Sequence, residues 1–310
     1  MTASRKQEDL LDSLESAVAL LQTLPSLALA KLDDAAPLPS LLAQCEALVA
    51  VRPAPIVRSI HHFASTGGTL ISRCLDAQPN VVLLSEIDPL SLASMTLSKP
   101  AFSPRSVIQQ LRYSVRGNSD ETIATVFSAE IIALRDSLLQ SGKQLVIRDH
   151  AHSHYCFGAT VAPRKTVLDL LQATGETRSV VTVRHPVDSF LSLTMRPDWN
   201  HFTPATLQEY CLRYEMFLND HRALPVFQYE AFVADPEGIT ARLCAALELT
   251  YVPGALDLRD VFKLSGESGR AGSVVTARPR RSIPPELREQ AGAEAYPRLC
   301  NRLGYDPALS

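Results

Sequence analysis

This 310-residue chain carries one tryptophan, and aromatic residues make up only 6% of it. Trp199, Tyr251 and Phe262 are scattered, so there is no aromatic ladder on which successive nucleic-acid bases could stack. An excess of charge of one sign is also missing. The 30 Lys and Arg stand against 33 Asp and Glu, a net charge of −3, which argues against a dedicated polyanion or membrane-surface binder. Among the six cysteines, Cys45, Cys74, Cys156, Cys211, Cys244 and Cys300, no two fall at CxxC spacing. They read as separate reduced thiols, which suits a cytoplasmic location. At the N-terminus, Glu8, Asp9, Asp12 and Glu15 interrupt the first apolar residues, so neither a signal peptide nor a membrane span is expected. No internal repeat or low-complexity tract is visible.

What is present is a large hydrophobic fraction, 46%, enough for one sizeable core. Leu10, Leu11, Leu14, Val18 and Leu21 recur at helical spacing. Two amphipathic helices, Glu8 to Leu24 and Pro39 to Val51, are therefore expected as a helical appendage over residues 1–52. Pro53 and Pro55 mark the boundary to a main domain over 53–310. There, short apolar runs alternate with helical patterns. Strands are expected at Ile56–Phe63, Val81–Leu84, Gln144–Arg148, Ser179–Val183 and Val226–Tyr229. Helices are expected from Thr69, Ser103 (with Pro104 in its first position), Ser119, Val167, Thr206 (running to about Leu224) and Asp235. This alternation implies an α/β fold with a parallel sheet covered on both faces.

The most informative stretch is Ile56 to Asp88. A strand feeds a small-residue loop, Ser65, Thr66, Gly67, Gly68 and Thr69, which opens into a helix. Small residues let backbone N–H groups converge, and the helix N-terminus adds partial positive charge, so the loop is an anion cradle for a phosphate or sulfate ester. It is not a Walker motif, because no lysine follows the glycines. A second anion site is expected downstream. Arg184 closes the Ser179 strand and Ser192 lies eight residues later, placing a guanidinium and a hydroxyl at the carboxyl edge of the sheet.

Together these stretches resemble the PAPS-dependent sulfotransferases. The glycine turn is similar to that family's 5′-phosphosulfate loop. Arg184, Pro186, Asp188 and Ser192 match its R-x-P-x-D-x-x-x-S pattern, and FQYEAFVADP resembles its YEDL-x-x-DP segment. The resemblance covers about Ile56 to Leu249. It implies a three-layer α/β/α, P-loop NTPase-like fold and transfer of a sulfuryl group from 3′-phosphoadenosine 5′-phosphosulfate, without a metal, to a hydroxyl or amine. It places the 3′-phosphate on Arg184 and Ser192, and Tyr229 near the nucleotide. One departure stands out: where the family loop carries Lys or Arg, this chain has Ser65. Arg148, at the end of a neighbouring strand, is the first candidate for the missing cation. Arg270 is the second, in a late basic stretch that also holds Arg278, Arg280 and Arg281. Glu86 and His150 compete as the base that takes the acceptor proton, with Glu86 slightly ahead and His150 as a donor on the acceptor side.

Three rival readings are open. His150, His152 and His154 would share one face of a strand and could ligate zinc, but the carboxylate–histidine continuation of metallo-hydrolases is missing. A P-loop small-molecule kinase would fit the fold but lacks its lysine. A degenerate sulfotransferase-like protein would hold nucleotide without turnover. The acceptor, a small molecule or glycan, would lie among Pro89–Gly117, His152–Lys165 and Met195–Ala205, which suit a sugar, a phenol or a lipid equally. No nucleic-acid partner is expected.

Overall fold

A computed structural model describes residues 55–309, apart from 94, 96–99, 117, 197–200, 260, 262–263, 265–274 and 277–278. The expected N-terminal helices, Cys45, Trp199, Arg270 and Arg278 lie outside the described residues.

Five parallel strands form one sheet: β1 (Val57–His62), β2 (Val81–Ile87), β3 (Gln144–Asp149), β4 (Thr177–Val183) and β5 (Val226–Gln228), in the spatial order β2-β3-β1-β4-β5. All six residues of β1 are buried, as expected of a central strand covered on both faces. Its alternate residues serve opposite layers. Ile60 packs with Leu70, Ile71 and Leu75 of α1 (Gly68–Asp76), whereas Val57 joins Phe127 and Ile131 of a long helix below the other face. The order of the strands reverses around β1, so the crevice beyond its carboxyl end is where such a sheet binds ligands.

Local chemistry explains most element ends. The long helix, Asp120–Gln140, is capped by Ser119, whose hydroxyl accepts from Thr122 N, and Gly142 follows its end at φ 70°. Thr166 and Asp169 form a reciprocal capping box on helix Val167–Gln172. Asp235 caps helix Pro236–Ala246.

Three expectations need correction. The helix expected from Ser103 begins at Val107, because Ser106 supplies the cap to Gln109 N and Pro104 sits in the preceding turn. The helix from Thr206 ends at Asp220, with His221 as its C-cap, rather than at Leu224. The alternating histidines do not share a strand face. β3 ends at Asp149, His150 caps a short helix (Ala151–Tyr155), and the chain turns so that His154 donates from Nε2 to Ala162 O at 3.1 Å instead of facing His150.

The five described cysteines are buried and form no disulfide. No helix among the described residues is long and apolar enough to cross a membrane.

Candidate active site

The loop after β1 is held from below. Phe63 is fully buried, stacked on Tyr214 (centroids 4.5 Å apart, planes at 12°) and edge-on to Tyr210 at 5.0 Å. Tyr210 donates its hydroxyl to Ala64 O at 2.7 Å, and Thr66 donates to Phe63 O through Oγ1 at 2.8 Å. Ser65 is then forced to φ 61°, a left-handed conformation that an L-residue occupies at a cost of about 1–2 kcal/mol. The two glycines are dictated by different neighbours. Gly67 has φ 91°, and a Cβ there would lie 2.4 Å from the Tyr229 ring. At Gly68 a Cβ would meet the His62 ring at 2.3 Å. No side chain larger than hydrogen fits either place without displacing an aromatic wall of the site.

Arg148 is the hub of the cleft. It is buried at the end of β3 and makes an ordered set of contacts. Nη2 donates to Thr69 Oγ1 at 2.9 Å and pairs with Glu86 Oε1 at 2.7 Å. Nη1 donates to Ser85 Oγ at 2.7 Å, and Nε donates to His62 Nε2 at 3.2 Å. His62 must therefore be neutral, with its proton on Nδ1. Burial, reinforced by the Arg148 charge, pushes it well below the ordinary histidine value. Ser85 and Glu86 reach Arg148 because β2 is irregular there. Leu84 pairs with Ile147 but Ile87 with Asp149, so β2 carries one residue too many, and Glu86 takes φ 61°. A bulge re-aims a side chain in this way. The second oxygen of Glu86 faces His150 Nε2 at 3.1 Å. One carboxylate thus joins a buried guanidinium to an imidazole whose side chain is 35% exposed.

The opposite bank comes from β4 and the helix after it, Pro186–Thr194. Arg184 is half-buried. Its guanidinium lies 4.9 Å from the centroid of Tyr229, the ring that also walls Gly67, and Nη1 donates to Ser65 O at 3.4 Å. Its backbone N–H donates to Tyr214 Oη, while Glu230 accepts from His185 N. Asp188 does not face the cleft ligands. It accepts from Arg280 at 3.2 Å, which ties the late basic stretch to this helix.

One cleft of about 240 Å³ is lined by Ser65, Thr66, Gly67, Gly68, Thr69, Glu86, Arg148, His150, Arg184, Ser192 and Tyr229. All the residues singled out from sequence are there except Arg270, which is not described. Sequence reasoning missed His62 and Asp149, which also line it, whereas His152, Met195 and Arg196, on the same wall, fall within the segments expected to hold the acceptor. Arg281 lines it as well, with its guanidinium at Met195 Sδ, whereas Arg280 turns away. Arg196 had a legible signal, one helical turn after Ser192. His62 and Asp149 had none, because each is one of several polar residues in its strand, and nothing in the linear pattern sets it apart. Four arginines face two carboxylates across this cleft, and burial pushes Asp149 up to about 7. The balance suits an anion carrying several charges.

Among known proteins, the sulfotransferase family matches residues 63–253, more than half of the chain. No curated protein sequence matches it. Solved structures with a similar course include a sulfotransferase from Alicyclobacillus acidocaldarius (16% identity, 80% of this chain and 96% of that one, TM-score 0.43). Another is the sulfotransferase domain from the curacin biosynthetic pathway (15% identity, 81% and 98%, TM-score 0.46). A third is a mouse sulfotransferase complexed with PAP (12% identity, 83% and 88%, TM-score 0.37).

Proposed function

This chain belongs to the sulfotransferase family, and from that premise we propose that it moves a sulfuryl group from 3′-phosphoadenosine 5′-phosphosulfate to a hydroxyl or amine by in-line displacement. The observation that carries the reading is the meeting of the glycine turn, Arg148 and Arg184 in one cleft, with Arg184 Nη1 3.4 Å from Ser65 O. Backbone N–H groups of Ser65 to Thr69 hold the 5′-phosphosulfate. Arg184 and Ser192 take the 3′-phosphate, and the Tyr229 ring packs between the two anion sites. Arg148, against Thr69, supplies the cation that Ser65 cannot. Its buried charge stabilises the phosphate oxygen that leaves as the S–O bond breaks.

Of the two candidate bases, the geometry favours His150. Glu86 shares its charge with Arg148 and His150, which makes it a holder rather than a proton acceptor. In the tautomer that donates Nε2–H to Glu86, His150 keeps a lone pair on Nδ1. That nitrogen takes the acceptor's proton as the new bond to sulfur forms, and Glu86 stabilises the resulting imidazolium. The rings of His152, His201 and Phe157 continue away from His150 at centroid separations of 5.9, 5.8 and 6.4 Å and form the acceptor side.

Calorimetry with 3′,5′-bisphosphoadenosine tests the donor site. Wild type should bind tightly and Arg184→Ala should not. Equal binding by the two proteins would remove Arg184 from the nucleotide site. Single turnover of labelled donor in His150→Asn and Glu86→Gln tests the base. A Glu86→Gln protein slower than His150→Asn would return that role to Glu86.

A further inference from the structure

Beneath the floor of the cleft lies a second cluster that the transfer reaction does not use. His61, next to the end of β1, Asp149, the last residue of β3, and His221, the C-cap of helix Leu207–Asp220, are 0%, 3% and 2% exposed. One ligand-capable atom from each lies within 4.8 Å of the others, and His61 Nδ1 is 2.9 Å from Asp149 Oδ2. Adjacent strands bring His61 and Asp149 to the same sheet face, and the helix end lowers His221 onto them with its ring centroid 4.7 Å from that of His61.

The proton on His221 can be placed. Nδ1 is 2.7 Å from Phe217 O, and a carbonyl can only accept, so Nδ1 carries the hydrogen. Nε2 is then a bare lone pair. It is buried and has no hydrogen-bond partner among the described residues. His61 is pinned in the same manner from its far side. Its Nε2 lies 2.8 Å from Ser59 Oγ, which in turn lies 2.7 Å from Ser179 Oγ. Two imidazoles, each with one nitrogen fixed by an outer hydrogen bond and the other turned toward a shared carboxylate, are the arrangement of metal-ligating histidines. Asp149 Oδ2 already meets His61 Nδ1 at 2.9 Å, while His221 Nε2 beside it has no partner among the described residues. One divalent ion would satisfy both nitrogens and the carboxylate together.

We propose that His61, Asp149 and His221 bind a single divalent transition-metal ion, with zinc the best match to two imidazole nitrogens and one carboxylate oxygen. The ion is structural. Asp149 stands between Arg148 and His150 in the chain, so clamping its carboxylate fixes the end of β3 and, through it, both residues of the cleft. His221 also lines a separate cavity of about 500 Å³ beside β5.

The test uses the full chain, stripped with chelator and titrated with Zn²⁺ by calorimetry and with Co²⁺ by visible absorption. One equivalent should bind, with the cobalt bands of a low-symmetry site and a rise in melting temperature. His221→Phe should weaken zinc affinity by more than about 100-fold, since even outer-shell changes cost 10–100-fold. Asp149→Asn gives a second, nearly isosteric ligand loss should the first variant fold poorly. The double variant His152→Ala with His154→Ala should keep the one-to-one stoichiometry. Stripped wild type that binds no ion at unit stoichiometry would overturn the proposal. So would zinc retained undiminished by His221→Phe, or zinc lost from the His152/His154 variant.

Discussion

The two banks of the cleft hold their arginines differently. On the β3 side, Arg148 is buried and its guanidinium is divided among Thr69, Ser85, Glu86 and His62. On the β4 side, Arg184 is half-buried, rests on the Tyr229 ring and touches the loop through one long contact to Ser65 O. Arg196 and Arg281 beside it are exposed. The first bank is preorganised: these partners fix the guanidinium, which in the proposed reaction stabilises the leaving oxygen. The second bank is more open to solvent, where a ligand can reach it. Under the proposed reaction, a cleft that stabilises a transition state and then releases a doubly phosphorylated nucleotide gains from having one rigid cation and one accommodating set.

The sharpest way to break this contrast is Arg148→Met. Removing one partner of a buried pair leaves Glu86 and His62 without their donor, so we expect a stability loss of about 3 kcal/mol in chemical denaturation. Turnover at saturating donor should also fall by roughly 10²–10³-fold, the usual loss for a preorganised charge at a reacting oxygen. A protein with near-normal turnover would show that the rigid bank is only scaffolding.

Next in size is Gly68→Ala. The added methyl meets the His62 ring, which is itself held by Arg148, so the neighbour cannot yield cheaply. A destabilisation of roughly 1–3 kcal/mol is expected. If the melting temperature stays at the wild-type value, the loop is softer than its contacts indicate.

Arg184→Ala should lower affinity for 3′,5′-bisphosphoadenosine by about 10–100-fold, the scale of one charge-assisted hydrogen bond, while leaving stability almost unchanged. Arg281→Ala should cost only a few-fold, and that difference should shrink as salt is raised, because an exposed charge is screened over about 8–10 Å. Equal salt dependence for Arg148 and Arg281 variants would erase the distinction between the banks.

The smallest effect concerns the anchor of the second bank. His185 is buried next to Arg184, and its Nε2 meets Asp306 O at 3.1 Å. Desolvation lowers its pKa, with the Asp306 hydrogen bond opposing. The folded form therefore binds fewer protons than the unfolded chain once the pH falls below the ordinary histidine value of about 6.5. Stability contributed by neutral His185 is present above that pH and is lost as the pH falls toward the lowered folded value. His185→Gln should flatten the acid limb of a stability-versus-pH curve. An unchanged limb would assign the acid sensitivity to other buried histidines.

Much of the site was visible before any coordinates. Glycines between a strand and a helix can be read from spacing alone, and Arg184 with Ser192 stood at the end of an apolar run. The roles of Glu86 and His150 could not be separated in that way, since both end strands and both titrate. The contact that distinguishes them comes from a bulge in β2 that turns Glu86 toward Arg148, and a bulge is one extra residue in a pairing register that the linear pattern does not contain. The alternating histidines misled for a related reason: periodicity of two reads as a strand, but β3 runs out of partner at Asp149 and the chain turns into a helix.

The sequence by itself determined the parallel α/β layout, the glycine cradle and the second anion site, because apolar alternation, small residues and caps act over a few positions. Only the tertiary structure decided that Arg148 lies against Thr69 of the loop, that Glu86 bridges Arg148 and His150, and that His61, Asp149 and His221 meet. Those outcomes depend on side chains from strands and helices up to 160 positions apart, brought together by the crossing order of the sheet.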